Sequence, residues 1–287
     1  MSTKINEEFL TTHFVGVSRS FLEGLRPLSS RAAQLLLLPL ALEVEFAKQH
    51  NDLTFAIPKT EIWDIFQLPK SYREEGHMNA YLDNILREEL LELEVNHIRI
   101  LDPSGIRLTR GWFEISFTQE AMDSFFQGLH SGYFTISLET LSKMKNRNTW
   151  NILKSLFLDF DFRSGQVKTF SRHTKTLKTI LGLGIQDYTT ATTGSFQRTR
   201  FEERCLHPVT KDILNMSQFT LYPAWGTPAE KPLYWGKTYF EGGFTGLVNN
   251  YTLIYKINKF DFKQSKEVDN NGNFTNNPVL YAKEAFA

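Results

Sequence analysis

Two stretches of this 287-residue chain hold residue types at spacings able to do chemistry. The first is LDFDFRSG, in which Asp159 and Asp161 alternate, followed by Ser171-Arg172-His173. Two carboxylates so spaced can hold a divalent metal for nucleotidyl transfer. The second is FQRTRFEERCLHPVTKDIL, Phe196 to Leu214. At about 100° per helical residue, Gln197, Arg200, Arg204, His207 and Lys211 fall within an arc of roughly 80°. Phe201, Cys205, Leu206, Val209 and Ile213 centre roughly opposite. A stripe of Gln, Arg, Arg, His and Lys can pair with base edges in a major groove or hold phosphates. The plain alternative is the solvated side of an ordinary amphipathic helix. Pro208 interrupts the stretch. An interior proline costs about 3 kcal/mol in a regular helix, which predicts a kink or an early end, with only Arg198 to Leu206 well formed.

Other chemistries find no support in the residues. The seven histidines, at 13, 50, 77, 97, 130, 173 and 207, lack i, i+4 pairing, and no His-x-His accompanies a tyrosine. Gly182-Leu183-Gly184 is not a phosphate loop, because no Gly-Lys-Ser/Thr follows. Cys205, the single cysteine, lies on the apolar face as inert core and excludes an internal disulfide. The expectation is a cytoplasmic, non-enzymatic protein with no cofactor and no metal.

Charge is balanced overall but unevenly spread. Thirty-two basic residues meet thirty-two acidic ones, yet residues 163–204 carry +5 and residues 74–93 carry −5. Such lopsidedness speaks for an anionic partner at one end of the molecule. At 41% hydrophobic residues with 24 phenylalanines, the chain has ample material for a buried core. No apolar run reaches membrane-spanning length, since AAQLLLLPLALEVEFA is broken by Pro39, Glu43 and Glu45. The start, MSTKINEEFL, has no signal-peptide pattern.

The elements that must position these residues follow from periodicity and turn signals. Helices are predicted over about 30–48, 60–68, 76–93 and 119–129, with a strand at LTFAIP. VNHIRIL and GIRLTRGWFEISFT flank Asp102-Pro103-Ser104-Gly105 and predict a hairpin turning there. Three helices closing on a two-stranded hairpin outline a winged helix. The order then repeats: FAIPKTEIWDIFQL is echoed by FSRHTKTLKTILGL at an offset of 115 positions. A short basic helix with Arg172, Lys175 and Lys178 precedes the Phe196–Leu214 stretch, as the first helix of a helix-turn-helix would. Arg147 and Asn148 stand where a phosphate could meet the start of the preceding helix. Strands FTLYP and VNNYTLIYKI follow, joined by the aromatic-rich connection 224–247. The reading is α+β: an N-terminal extension (1–28), winged-helix domains at 29–130 and 131–262, and a polar, flexible tail (263–287).

From YFTISLETLSKMKNRNTWNILKSL through LKTILGL to F-x-R-x-R-F-x-x-R-x-L-x-P-V-x-x-I, the chain resembles plasmid replication initiators of the Rep_3 type. The resemblance spans about residues 29–259 and is sharpest over Phe201–Ile213. It implies two winged-helix domains in pseudo-twofold relation that bind direct repeats, or iterons, in double-stranded origin DNA. The second domain would read bases and the first would mainly hold backbone or dimerise. It also implies initiation by monomers with host replication proteins, and repression of the chain's own gene by dimers. Carried over by position, contact falls on Gln197, Arg198, Thr199, Arg200 and Arg204, with Arg172 and Lys175 in support. The stripe and the basic helix add Lys211, Lys178 and Arg147.

Three other readings compete. A tandem winged-helix transcription regulator would share the DNA surface but not the origin. The acidic pair with Ser-x-His is similar to primase-like nucleotidyltransferases. Those keep the two motifs much further apart and add a third acidic motif, so Asp159 and Asp161 read as a frayed helix end. An interaction module would use LYPAWGTPAEKPLYW as an exposed patch.

Overall fold

The computed structural model describes residues 10, 13–50, 53–127, 133–159, 166–184, 186–190, 192–239 and 248–258. The chain divides into two compact units, one holding the residues up to Arg26 and Arg31–Ser142, the other Pro27–Ser30 and the residues from Lys143 to Lys259.

The first unit begins with β1 (Phe14–Ser18) and α1 (Arg19–Gly24). The long apolar helix α2 (Ser30–His50) leads to β2 (Thr54–Pro58), α3 (Lys59–Ile65) and α4 (Glu75–Ile85), which continues as a π turn over Leu86–Leu90. Then come β3 (Glu94–Val95), β4 (Ile98–Arg99), β5 (Arg107–Leu108) and β6 (Trp112–Ser116). The unit continues with α5 (Gln119–Ala121), β7 (Tyr133–Ser137) and α6 (Leu138–Lys143). Strand β6 is central, antiparallel to β2 on one side and to β5 on the other. Phe55, Ile57, Phe113 and Ile115 alternate onto one buried face of that sheet.

The hairpin does not turn at Asp102–Gly105 as predicted. That segment is a 3-10 turn, with the Asp102 carboxylate accepting from the Ser104 amide at 3.0 Å. The chain instead reverses twice, at Asn96–His97 and at Thr109–Gly111. Asn96 and His97 both have positive φ (52° and 68°), which suits a two-residue turn. Gly111 sits at φ 82°, open only to a residue without Cβ strain. The first strand of the chain also falls where an extension was expected. β1 pairs with β7, and Phe21 packs within 5.4 Å of Phe125 and 5.1 Å of Phe126.

The second unit repeats the order. It runs α7 (Thr149–Asp159), β8 (Lys168–His173) and α8 (Thr174–Ile180), the last two echoing β2 and α3. Next is a helix in three parts: α9 (Arg198–Phe201), a π turn (Glu202–Leu206) and α10 (His207–Leu214). Strands β9 (Phe219–Tyr222), β10 (Trp235–Tyr239) and β11 (Val248–Ile257) complete it. β11 is central, with β8 on one side and β10 then β9 along the other. Both sheets thus set their last strand between the strand that follows the first helix and those that follow the third. β10, inside the predicted connection, carries no alternation long enough to announce itself.

Pro208 does not end the helix. The wide turn before it, in which the His207 amide reaches the Glu202 carbonyl, leaves the proline in the first turn of α10. There its missing N–H removes no intrahelical bond. The expected kink is replaced by a π turn. Pro208→Ala is therefore expected to change stability by less than about 1 kcal/mol in urea unfolding, against the roughly 3 kcal/mol gain an interior proline would release.

Candidate nucleic-acid interface

The helix of the second unit, from Arg198 to Leu214, separates its faces as its sequence demands. Phe201, Cys205, Leu206, Val209 and Ile213 are all buried, and Arg200, Arg204, His207 and Lys211 are all exposed. Apolar residues at 201, 205, 209 and 213 step by four. In a regular α-helix that spacing drifts about 40° per step and would carry the last residue off the core. The π turn winds more slowly and takes up part of the drift. One bulge therefore keeps both the core face and the cationic face in line.

The predicted contact residues have different fates. Thr199 and Arg200 are exposed at the first turn. The Arg200 guanidinium donates to the Gln197 side-chain oxygen at 3.2 Å, which leaves its other donors facing solvent. The Gln197 amide in turn donates to the Thr189 carbonyl at 3.5 Å. Arg198 is half-exposed, with its guanidinium 3.9 Å from Glu202. Lys175 is exposed on α8. Arg172 is not on that helix but on β8. It pairs with Asp159, donates to the Ser171 carbonyl at 2.9 Å and stacks 4.5 Å over Phe170. Lys178 turns inward: it is buried, donates to the Asp187 carbonyl and lies 5.1 Å over the Phe196 ring. Burial lowers its pKa. It anchors the loop before the helix rather than facing solvent.

Arg147 is exposed beside the start of α7. The amides around it are already taken. Lys145 and Asn146 donate to Asp212 at 2.8 and 2.6 Å, and Trp150 donates to the Ser30 hydroxyl at 3.0 Å. An anion here would meet the Arg147 side chain and not free helix amides.

Three residues that hold this helix in place escaped the sequence reading. Glu202, buried inside the π turn, accepts from the Tyr251 hydroxyl at 2.9 Å and from the Lys237 ammonium at 2.8 Å, tying the helix to β11 and β10. Asp212, also buried, ties α10 to the turn before α7. Tyr188 takes φ 56° and accepts from the Cys205 thiol at 3.2 Å. Charged residues inside an amphipathic stretch look alike in sequence, and only burial separates those two acids from their exposed neighbours.

Burial, with the thiol contact second, pushes the Tyr188 phenol up to about 12 from 10.0, and burial raises the Cys205 thiol from 9.0. Both shifts favour the neutral form in the folded state. Their stabilisation is complete below the unfolded values and is lost as pH climbs through the folded ones. The second unit is expected to lose stability from about pH 9 upward, through about pH 12. Urea unfolding across that range checks this, and Tyr188→Phe should flatten the upper part.

Asp161 lies outside the described residues, and the Asp159 carboxylate is held by Arg172. Among the described residues no cluster of three or more His, Cys, Asp or Glu could hold a metal ion, and no helix is long and apolar enough to cross a membrane.

No protein-family profile matches the chain, and no curated protein matches it. Among solved structures it is similar to the Pi initiator protein, crystallised in complex with iteron DNA. The TM-score is 0.54 at 11% identity, covering 87% of this chain and 99% of that one. The shared feature is the fold.

Proposed function

We propose that the chain is a sequence-specific double-stranded DNA-binding protein that initiates plasmid replication at origin repeats. Each unit is read as a winged helix, and the helix of the second unit enters a major groove. The observation that carries this reading is the solvent face of that helix. Arg200, Arg204, His207 and Lys211 form one exposed, donor-rich line over a fully buried opposite face, with the half-buried Gln197 capping its start. Arg and Gln there can address guanine and adenine edges, while Lys175 and Arg147 can take phosphates. The likeness in fold to an initiator bound to iteron DNA supports the origin role. The protein acts in the cytoplasm without catalysis of its own, and dimers repress its gene.

The test is selection of duplexes from a randomised pool, followed by anisotropy titration of the selected and a scrambled duplex. The reading expects a common motif, discrimination of at least a thousand-fold and affinity that falls steeply between 50 and 200 mM salt, on the order seen for phosphate-contacting proteins. Equal, weak binding to both duplexes would sink it. Mapping the motif to an origin, against a promoter alone, separates initiator from transcription regulator.

A further inference from the structure

The second unit carries an apolar cleft to which the DNA-binding reading gives no role. It lies between α10 and β10 and encloses about 330 Å³. Three of the five large apolar side chains that stand exposed among the described residues gather at it or beside it. Leu214 and Leu233, each 47% exposed, line the cleft. Trp225, 96% exposed, belongs to the adjoining loop, which is closed by the Ala224 amide donating to the Leu233 carbonyl at 2.7 Å. Apolar surface gathered in a concave site of this size is the usual mark of a ligand pocket.

The polar groups of its floor are bonded to one another. The Trp235 indole N–H donates to the Thr210 hydroxyl at 2.9 Å, and that hydroxyl donates to the Leu206 carbonyl at 2.8 Å. All three residues are buried. A ligand body resting on them meets hydrocarbon and ring, with no donor left unsatisfied by its arrival.

The mouth has the opposite character. Lys211 and His207 are exposed there, and neither side chain has a hydrogen-bond or ion-pair partner among the described residues. The acid in the lining, Glu202, is buried and already accepts from Tyr251 and Lys237. The Asn215 side-chain amide is turned to the Lys211 carbonyl, to which it donates at 2.8 Å. An ammonium and an imidazole thus remain to meet one anionic head above an apolar floor.

We infer that this cleft binds a small apolar acid, a carboxylate on an alkyl or aromatic body. The body lies between Leu214 and Leu233, and the carboxylate meets Lys211 and His207. Those two residues also belong to the line that faces the duplex, so an occupied cleft withdraws both from DNA. The site stands on its own geometry, whereas this consequence rests on the DNA-binding reading above.

The experiment titrates the full chain with decanoate, and with decylammonium as the reversed charge, by isothermal titration calorimetry. Decanoate is expected to bind in equal stoichiometry, and decylammonium roughly ten-fold more weakly. Leu214→Gln/Leu233→Gln, at exposed positions and with the thermal transition kept, should weaken decanoate roughly ten-fold. Lys211→Gln should weaken it about five-fold. In a second arm, anisotropy on the selected duplex at fixed ionic strength, decanoate should weaken binding by the parent and leave the leucine variant unaffected. Equal binding of the two probes, or unchanged decanoate affinity in the leucine variant, overturns the inference. So does a sedimentation shift from dimer to monomer in the leucine variant without any probe, which would make the cleft an interface between two copies. Decanoate that binds without moving duplex affinity overturns the link to DNA. If decanoate binds as expected and the parent binds no duplex, the cleft stands and the DNA-binding reading falls.

Discussion

Arg200→Ala is expected to lower discrimination between the selected duplex and a scrambled one by ten- to a hundred-fold, about 1–3 kcal/mol. Arg200 stands on the exposed first turn of the helix, with one guanidinium nitrogen already held by Gln197 at 3.2 Å. That bond aims the planar fork and leaves its remaining donors free for a guanine edge. Lysine in its place supplies charge but no fork, so Arg200→Lys should keep most of the salt dependence and lose most of the discrimination. Gln197→Ala should follow with a smaller loss, because it frees the arginine without removing it. Competition titration by fluorescence anisotropy measures all three. Discrimination by Arg200→Ala within two-fold of the parent would place base reading elsewhere.

The second large effect is structural. Asp212→Ala is expected to destabilise the second unit by about 3 kcal/mol, because one buried carboxylate oxygen serves three donors. It accepts from the amides of Lys145 and Asn146 and from the Thr149 hydroxyl, at 2.8, 2.6 and 2.6 Å. Truncation leaves these groups without their acceptor. For a unit of this size the loss should lower Tm by more than about 10 °C, read by circular dichroism. Asp212→Asn, which keeps an acceptor but not the charge, should fall between. Its DNA affinity separates two causes. Removal of a negative charge alone would strengthen phosphate binding, whereas displacement of Lys145 and Arg147 would weaken it. The expected result is weakening, since Asp212 joins α10 to the turn that carries both residues.

Much of the fold was legible because its signals are local. Apolar periodicity marked the long helices, and the echo of Phe55 in Phe170 marked the repeated order, with both side chains buried in equivalent strands. The turn chemistry misled where several signals competed. Asp102-Pro103-Ser104-Gly105 is a strong turn motif and does turn, but pairing of β6 with β2 and β5 set the hairpin at Thr109–Gly111 instead. Strands β1 and β7 were missed as a pair because partners far apart along the chain, such as Phe14 with Ser137 and Ser18 with Tyr133, leave no local trace.

By itself the sequence determined the cationic line Gln197, Arg200, Arg204, His207, Lys211 and the apolar line opposite it, because both follow from residue type and helical spacing. Tertiary structure alone decided which charges remain outside. Lys178, Glu202 and Asp212 are as polar as their neighbours, yet each is buried on a specific acceptor or donor. Tertiary structure also decided that Pro208 could stand inside a continuous helix. A proline is tolerated where the turn before it widens, and that widening is stabilised by packing of the four-residue apolar spacing against the core, a contact between distant segments that no local window contains.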